Sequence, residues 1–233
     1  MNERPNEIVF MPGFDGVAEL REDFVQELRG IAPARAIGYP NRTLETLNRY
    51  ARFASSQSTA ESRPVLVAES FSGLVAARWA ANDPHVAAIV MCGAFARSPT
   101  AWSEIAASWP ATAQFVGANF MNPMSYFSGD PARRRWSQAL TTAVGSLRRE
   151  VLAERLRIIS TEDVGADLKS LRIPVVLAQF QDDLVIGIDT RAQLEAACHE
   201  PRVVRIPGPH FAIETRPREA AAALRPHIEA LFA

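Results

Sequence analysis

A serine, a pair of aspartates and a histidine fall in this chain where together they could carry out acyl transfer. Ser70 lies in VLVAESFSG (65–73), Asp182 and Asp183 follow the apolar run IPVVLAQF (173–180), and His210 follows PRVVRIP (201–207) in a Gly-Pro-His turn. A serine hydroxyl is a weak nucleophile until an imidazole takes its proton, and the imidazolium then needs a carboxylate beside it. The chain order serine, acid, histidine is the one expected when the nucleophile sits on a sharp strand-to-helix elbow.

The neighbourhood of Ser70 fits such an elbow. Crowding at the turn demands small residues two positions either side, which Ala68 and Ser72 supply, with Gly73 following. The usual pattern is G-x-S-x-G, and both outer glycines are replaced here, so the motif is degenerate. A plainer role for Ser70, or for Ser72, is capping the helix that follows. Histidine discriminates better, because the chain has four. His85 and His199 precede strand-like runs, at the wrong end of a sheet, and His227 lies within a helical stretch. His210 alone follows a strand candidate and is the expected base. Of the two acids, Asp182 is the expected partner, since Leu184-Val185 then follow one residue on; Asp183 is read as a turn or capping residue. A developing oxyanion also needs donors. The backbone amide of Phe71 offers one, and the loop Pro12-Gly13-Phe14-Asp15-Gly16 offers a second, from Phe14.

Those residues need a scaffold that brings strand ends together. The candidate strands are 7–12, 34–39, 64–68, 86–92, 173–180 and 201–207. They are continuous apolar runs rather than alternations, as expected for parallel strands covered on both faces. Between them, segments 17–28, 44–54, 72–82, 190–198 and 217–232 have helical spacing. The expectation is an α/β fold with a doubly wound, mostly parallel sheet of about six strands. Ligand sites of such sheets lie at the carboxyl ends of the strands, where Ser70, the aspartates and His210 fall. The interval 97–161 contains helix-like pieces and no strand, and reads as a helical lid inserted between core segments 1–96 and 162–233.

Composition narrows the function classes. The 233 residues carry a formal net charge of −1, with 48% hydrophobic and 22% charged residues, which describes a globular chain with a sizeable core. Near-neutrality argues against nucleic acid or an anionic membrane surface as partner. No run approaches the ~18 apolar residues of a membrane span. The N-terminal residues do not read as a signal peptide, and a cytoplasmic location is expected. Cys92 and Cys198 are the only cysteines, too few for a disulfide framework.

Taken together, PGFDG (12–16), AESFSG (68–73), QDDLV (181–185) and GPH (208–210) resemble the α/β-hydrolase superfamily, from Val9 to Phe232. Within it the chain is similar to small bacterial carboxylesterases of the pimeloyl-carrier-protein methyl ester esterase type. The resemblance implies Ser70 as nucleophile, Asp182 as acid, His210 as base, and the Phe14 and Phe71 amides as oxyanion hole. No cofactor is expected, and the sparse histidines without His-x-x-x-His spacing argue against a catalytic metal. The chain departs from the family pattern in opening on the strand that carries the oxyanion loop, and in having Pro12 where a histidine is usual. Under the lid, Phe115, Phe120, Met124, Phe127 and Trp136 are expected to line an acyl pocket. The basic clusters Arg133–Arg135 and Arg148-Arg149 read as a solvated helix face. The sharper expectation for them is docking of an acidic acyl carrier protein. The expected activity is hydrolysis of a small-molecule carboxylic ester. The alternatives are thioester hydrolysis or acyl transfer on carrier-bound chains, or non-catalytic ligand binding on the same scaffold.

Overall fold

All six apolar runs form strands in the computed structural model of the chain, which describes residues 4–99 and 131–233. The core begins with β1 (Glu7–Met11), a 3₁₀ turn (Ala18–Arg21), α1 (Glu22–Arg29), β2 (Ala34–Ala36), α2 (Leu47–Ser55), β3 (Pro64–Glu69), α3 (Ser72–Asn82) and β4 (Ala88–Cys92). After residue 130 come α4 (Pro131–Ser146), α5 (Arg149–Thr161) and α6 (Gly165–Ser170). The chain closes with β5 (Val175–Phe180), α7 (Ile188–Ala197), β6 (Arg202–Ile206), α8 (Ala212–Thr215) and α9 (Pro217–Phe232).

The strands pair in the order β2-β1-β3-β4-β5-β6, every pair parallel. Period-two alternation divides their side chains between two cores. Val9, Met11, Leu66, Ala68, Ile89, Met91 and Leu177 face the helices α2 and α3. Ile8, Phe10, Val65, Val67, Val90, Val176 and Phe180 face α1 and α9. Both faces are thus covered, which is why the strands read as unbroken apolar runs. The order reverses between β1 and β3, so the loops after these two strands open side by side. That crevice is where open α/β sheets place their sites.

Two elements differ from the sequence expectation, for reasons that matter to the site. The second run yields a strand only over Ala34–Ala36, because Tyr39 turns away to donate its amide to the Gly16 carbonyl (2.8 Å) in the loop after β1. The helix expected over 17–28 breaks at Arg21, whose backbone leaves helical geometry while its side chain turns into the core. The helices α4 and α5 lie within the interval expected as a lid. Their Trp136, Leu140, Val144 and Leu152, with Leu147 between the two helices, form a small core packed against Phe14, Leu20 and Phe211. Among the described residues no helix is long and apolar enough to cross a membrane.

Gly73 shows how tightly α3 leaves the sheet. A methyl group there would stand 2.5 Å from the Ala94 Cβ and 2.9 Å from the Met91 Cε. Replacing Gly73 by alanine is therefore expected to lower unfolding free energy by about 1–3 kcal/mol, despite alanine's better helix propensity. Chemical denaturation of the two proteins measures the difference.

Candidate active site

Ser70 is held on a strained turn. Its φ is +48°, in the left-handed region that a residue with a Cβ seldom occupies. The turn is fixed from both sides: the Ser70 amide donates to the Cys92 carbonyl (2.9 Å), and its carbonyl accepts from the Gly73 amide (2.9 Å). Neither Ser70 nor Ser72 caps α3, whose N-terminus has no side-chain cap. The hydroxyl of Ser70 is left at the carboxyl edge of the sheet, partly exposed.

His210 arrives from the loop after β6. Its Nε2 lies 3.2 Å from the Ser70 Oγ, and its Nδ1 lies 2.8 Å from the Oδ2 of Asp183. The ring is buried, and Gly93 makes room for it: a Cβ at Gly93 would sit 3.2 Å from Nδ1 and 3.0 Å from the Phe180 ring. Burial works against charge on the imidazole, but the Asp183 carboxylate and its hydrogen bond outweigh it and raise the pKa above the ordinary histidine value. The remaining histidines stand apart from this row; His85, for example, pairs with Asp83 at the surface.

The acid expected beside His210 is corrected by this geometry. Asp182 is exposed, and its amide extends the β5–β6 ladder by donating to the Gly208 carbonyl (2.9 Å). That pairing directs its side chain to solvent, and the chain turns only at the following residue. Asp183 points inward instead. Its Oδ2 meets His210, while its Oδ1 accepts from the Val185 and Ile186 amides, both at 2.8 Å. A buried carboxylate needs several donors, and Asp183 has them. The apolar pair Val185-Ile186, folded back over its own aspartate, is the signal in the sequence that favours the second acid.

The two amides expected as oxyanion donors belong to Phe71 and Phe14. Phe71 begins the helix, its ring buried in edge-to-face contact with Tyr39 and Tyr50. Phe14 lies in the loop after β1, against the α4–α5 core. Among the described residues neither amide donates a backbone hydrogen bond outside regular helices and strands. Trp136 packs its ring 4.3 Å from that of Phe211, the residue after His210. Phe115, Phe120, Met124 and Phe127 lie outside the described residues.

The model of the alpha/beta hydrolase family matches residues 8–224. The chain belongs to that family. Solved structures of hydrolases with the same fold include the enol-lactonase of Burkholderia xenovorans LB400, with 16% identity and a TM-score of 0.78 over 99% of this chain and 92% of that one. An esterase of Exiguobacterium antarcticum is similar at 12% identity and a TM-score of 0.79, covering 97% and 92% of the two chains. A bromoperoxidase of Bacillus anthracis aligns with 16% identity and a TM-score of 0.73 over 97% and 92%. No curated protein matches by sequence.

The hydrolase scaffold is reinforced around this site by residues that the sequence does not single out. Ser72, standing where the family pattern has glycine, bonds the Pro12 carbonyl through its hydroxyl and meets the Tyr39 hydroxyl at 2.5 Å. It thereby ties the elbow to the loop after β1. Arg155 of α5 is buried and donates from Nη1 to the carbonyls of Phe14 (2.8 Å) and Asp15 (2.7 Å). Gly16 leaves the space for that guanidinium, since a Cβ would approach it to 2.6 Å. Glu69, without an evident role in the sequence, is buried and forms a bidentate pair with Arg21 (2.8 Å each). It also accepts from the Gly13 amide at 3.1 Å. Arg21 in turn holds Asp15 (2.7 Å), whose Oδ1 accepts from the Val17 amide. Of the two basic clusters, Arg148 pairs with Glu150 at the surface.

Proposed function

We propose that the protein is a serine hydrolase that cleaves carboxylic esters through an acyl-enzyme. The reading rests on one observation, the hydrogen-bonded row from the Ser70 Oγ through His210 to Asp183. His210 takes the Ser70 proton at Nε2 as Oγ attacks the acyl carbon. Asp183 holds the ring by accepting from Nδ1 and balances the imidazolium charge. The oxyanion that forms is received by the amides of Phe71 and Phe14. Breakdown of the tetrahedral species passes the proton from His210 to the departing alcohol. Water, deprotonated by the same ring, then releases the acid and restores Ser70.

Support for two amide donors comes from how firmly their loops are tied. Ser72 and Glu69 grip Pro12 and Gly13, and Arg155 grips the peptides after Phe14 and Asp15. Donors fixed before reaction need not reorganise as charge develops.

A chromogenic ester series of increasing acyl length tests the activity. A burst of alcohol equal to the protein concentration, followed by slower turnover, is expected where deacylation limits the rate; absence of hydrolysis across the series contradicts the reading. The pH dependence is set by His210, which must be neutral to accept a proton. Because its pKa is raised, kcat/KM should climb with pH through an apparent pKa above about 6.5. An acid limb centred well below that value is the contrary result.

A further inference from the structure

Beneath the catalytic loops lies a buried charge cluster that the proposed mechanism does not use. Arg21 is its centre: Nη1 meets Asp15 (2.7 Å), Nε and Nη2 meet Glu69 (2.8 Å each), and Nη2 lies 3.0 Å from the Oε1 of Glu214. All four side chains are buried. The three carboxylates come from the segments that carry the reaction: the loop after β1, the residue before Ser70, and α8, four residues beyond His210. One guanidinium cannot neutralise three carboxylates, and adjacent buried carboxylates do not both ionise.

The surroundings of the three acids differ. Asp15 and Glu69 accept hydrogen bonds from Arg21 and from the backbone amides of Val17 and Gly13. Neither oxygen of Glu214 accepts a hydrogen bond among the described residues. An ionised Glu214 would be a desolvated carboxylate facing Arg21, a cation already bonded to Asp15 and Glu69. Nη2 of Arg21 touches both Glu69 (2.8 Å) and Glu214 (3.0 Å), which places the two carboxyls side by side and makes Glu69 the acceptor available to a protonated Glu214. We propose that Glu69 and Glu214 hold one proton and one negative charge between them, a carboxyl–carboxylate pair that keeps a fixed negative potential behind His210. The charges then sum to −1 for the cluster, from Arg21⁺, Asp15⁻ and the shared pair.

Burial and then the Glu69 charge push Glu214 well above the usual carboxylate range. Burial opposes ionisation of Glu69 as well, but Arg21 outweighs it and holds that carboxyl low. The charged groups facing His210 are Asp183, Glu69 and Arg21, the first two favouring the imidazolium and the last opposing it. Cys92, also near the pair, is kept neutral by burial. The pair is thus a positioning and electrostatic element for the base. Its effect on rate rests on the ester-hydrolase reading, whereas its protonation does not.

Infrared spectroscopy at neutral pH reads the proton without any activity. A protonated-carboxyl band is expected in the wild-type protein and should disappear in Glu214→Gln, where Glu69 carries the charge. It should also disappear in Glu69→Gln, where the charge passes to Glu214. A spectrum without the band, or a band unchanged in both variants, overturns the shared proton. The pH profile reads the coupling to His210. Each single variant keeps one negative charge and should leave the acid limb of kcat/KM in place. The double variant Glu69→Gln/Glu214→Gln removes the charge and should move that limb down by about 0.5–1 pH unit. A double variant with the wild-type limb, or single variants whose shifts add up to that of the double, overturns the proposal. If no ester is turned over, the infrared result still decides the protonation of the pair.

Discussion

Replacing Ser70 by alanine is expected to lower kcat/KM toward an activated ester by about 10⁵-fold or more, as removal of an acyl-transfer nucleophile does elsewhere. The fold should survive the change. The backbone at Ser70 keeps its φ of +48° through bonds from its own amide and carbonyl, not through its hydroxyl. Residual hydrolysis should reflect only the two amide donors and ester binding, a remnant of about 10³-fold over water. Steady-state kinetics beside a thermal unfolding curve separate loss of chemistry from loss of structure. A Ser70→Ala protein with near wild-type kcat/KM would show that another group attacks the acyl carbon.

The second large effect separates two adjacent aspartates. Asp183→Asn should cost about 10³- to 10⁴-fold in kcat, because an amide facing the Nδ1 of His210 favours the tautomer that cannot accept the Ser70 proton. Asparagine keeps an oxygen for the Val185 and Ile186 amides, so the turn they form with residue 183 should hold. Asp182→Asn removes a surface charge whose backbone partner, the Gly208 carbonyl, is untouched. Its kcat should stay within about threefold of wild type. The prediction is tested by measuring kcat for both variants with one ester, and the reverse ranking would reinstate Asp182 as the acid.

That pair of residues also marks the limit of what the chain discloses before it is folded. The six strands were legible because parallel strands buried on both faces must be apolar throughout, and each helix between them shows its own period. Ser70 and His210 were legible because strand ends are where such a sheet gathers ligands, and only one histidine follows a strand. Choosing between Asp182 and Asp183 requires the residue at which the β5–β6 ladder stops, a boundary that an apolar pattern leaves open by a residue or two. Glu69 was opaque for a different reason. Its partners Arg21, Asp15 and Glu214 are scattered over the chain, and a carboxylate within a strand is explained only when a guanidinium meets it. Arg155 is similarly hidden: in sequence it belongs to a charged helix, yet in the fold it is fully buried against two loop carbonyls. The helix expected over 17–28 likewise divides at Arg21, whose side chain is drawn into the cluster with Glu69.

Covalent labelling bears most directly on the central claim, that Ser70 is a nucleophile activated by His210. The protein would be incubated with a fluorophosphonate, its intact mass recorded, and the modified peptide sequenced by mass spectrometry. One adduct per chain on Ser70 is expected in the wild type and in Asp182→Asn, with none in Ser70→Ala and much slower labelling in His210→Ala. A wild-type chain that stays unlabelled, or one labelled at another residue with Ser70 intact, would contradict it.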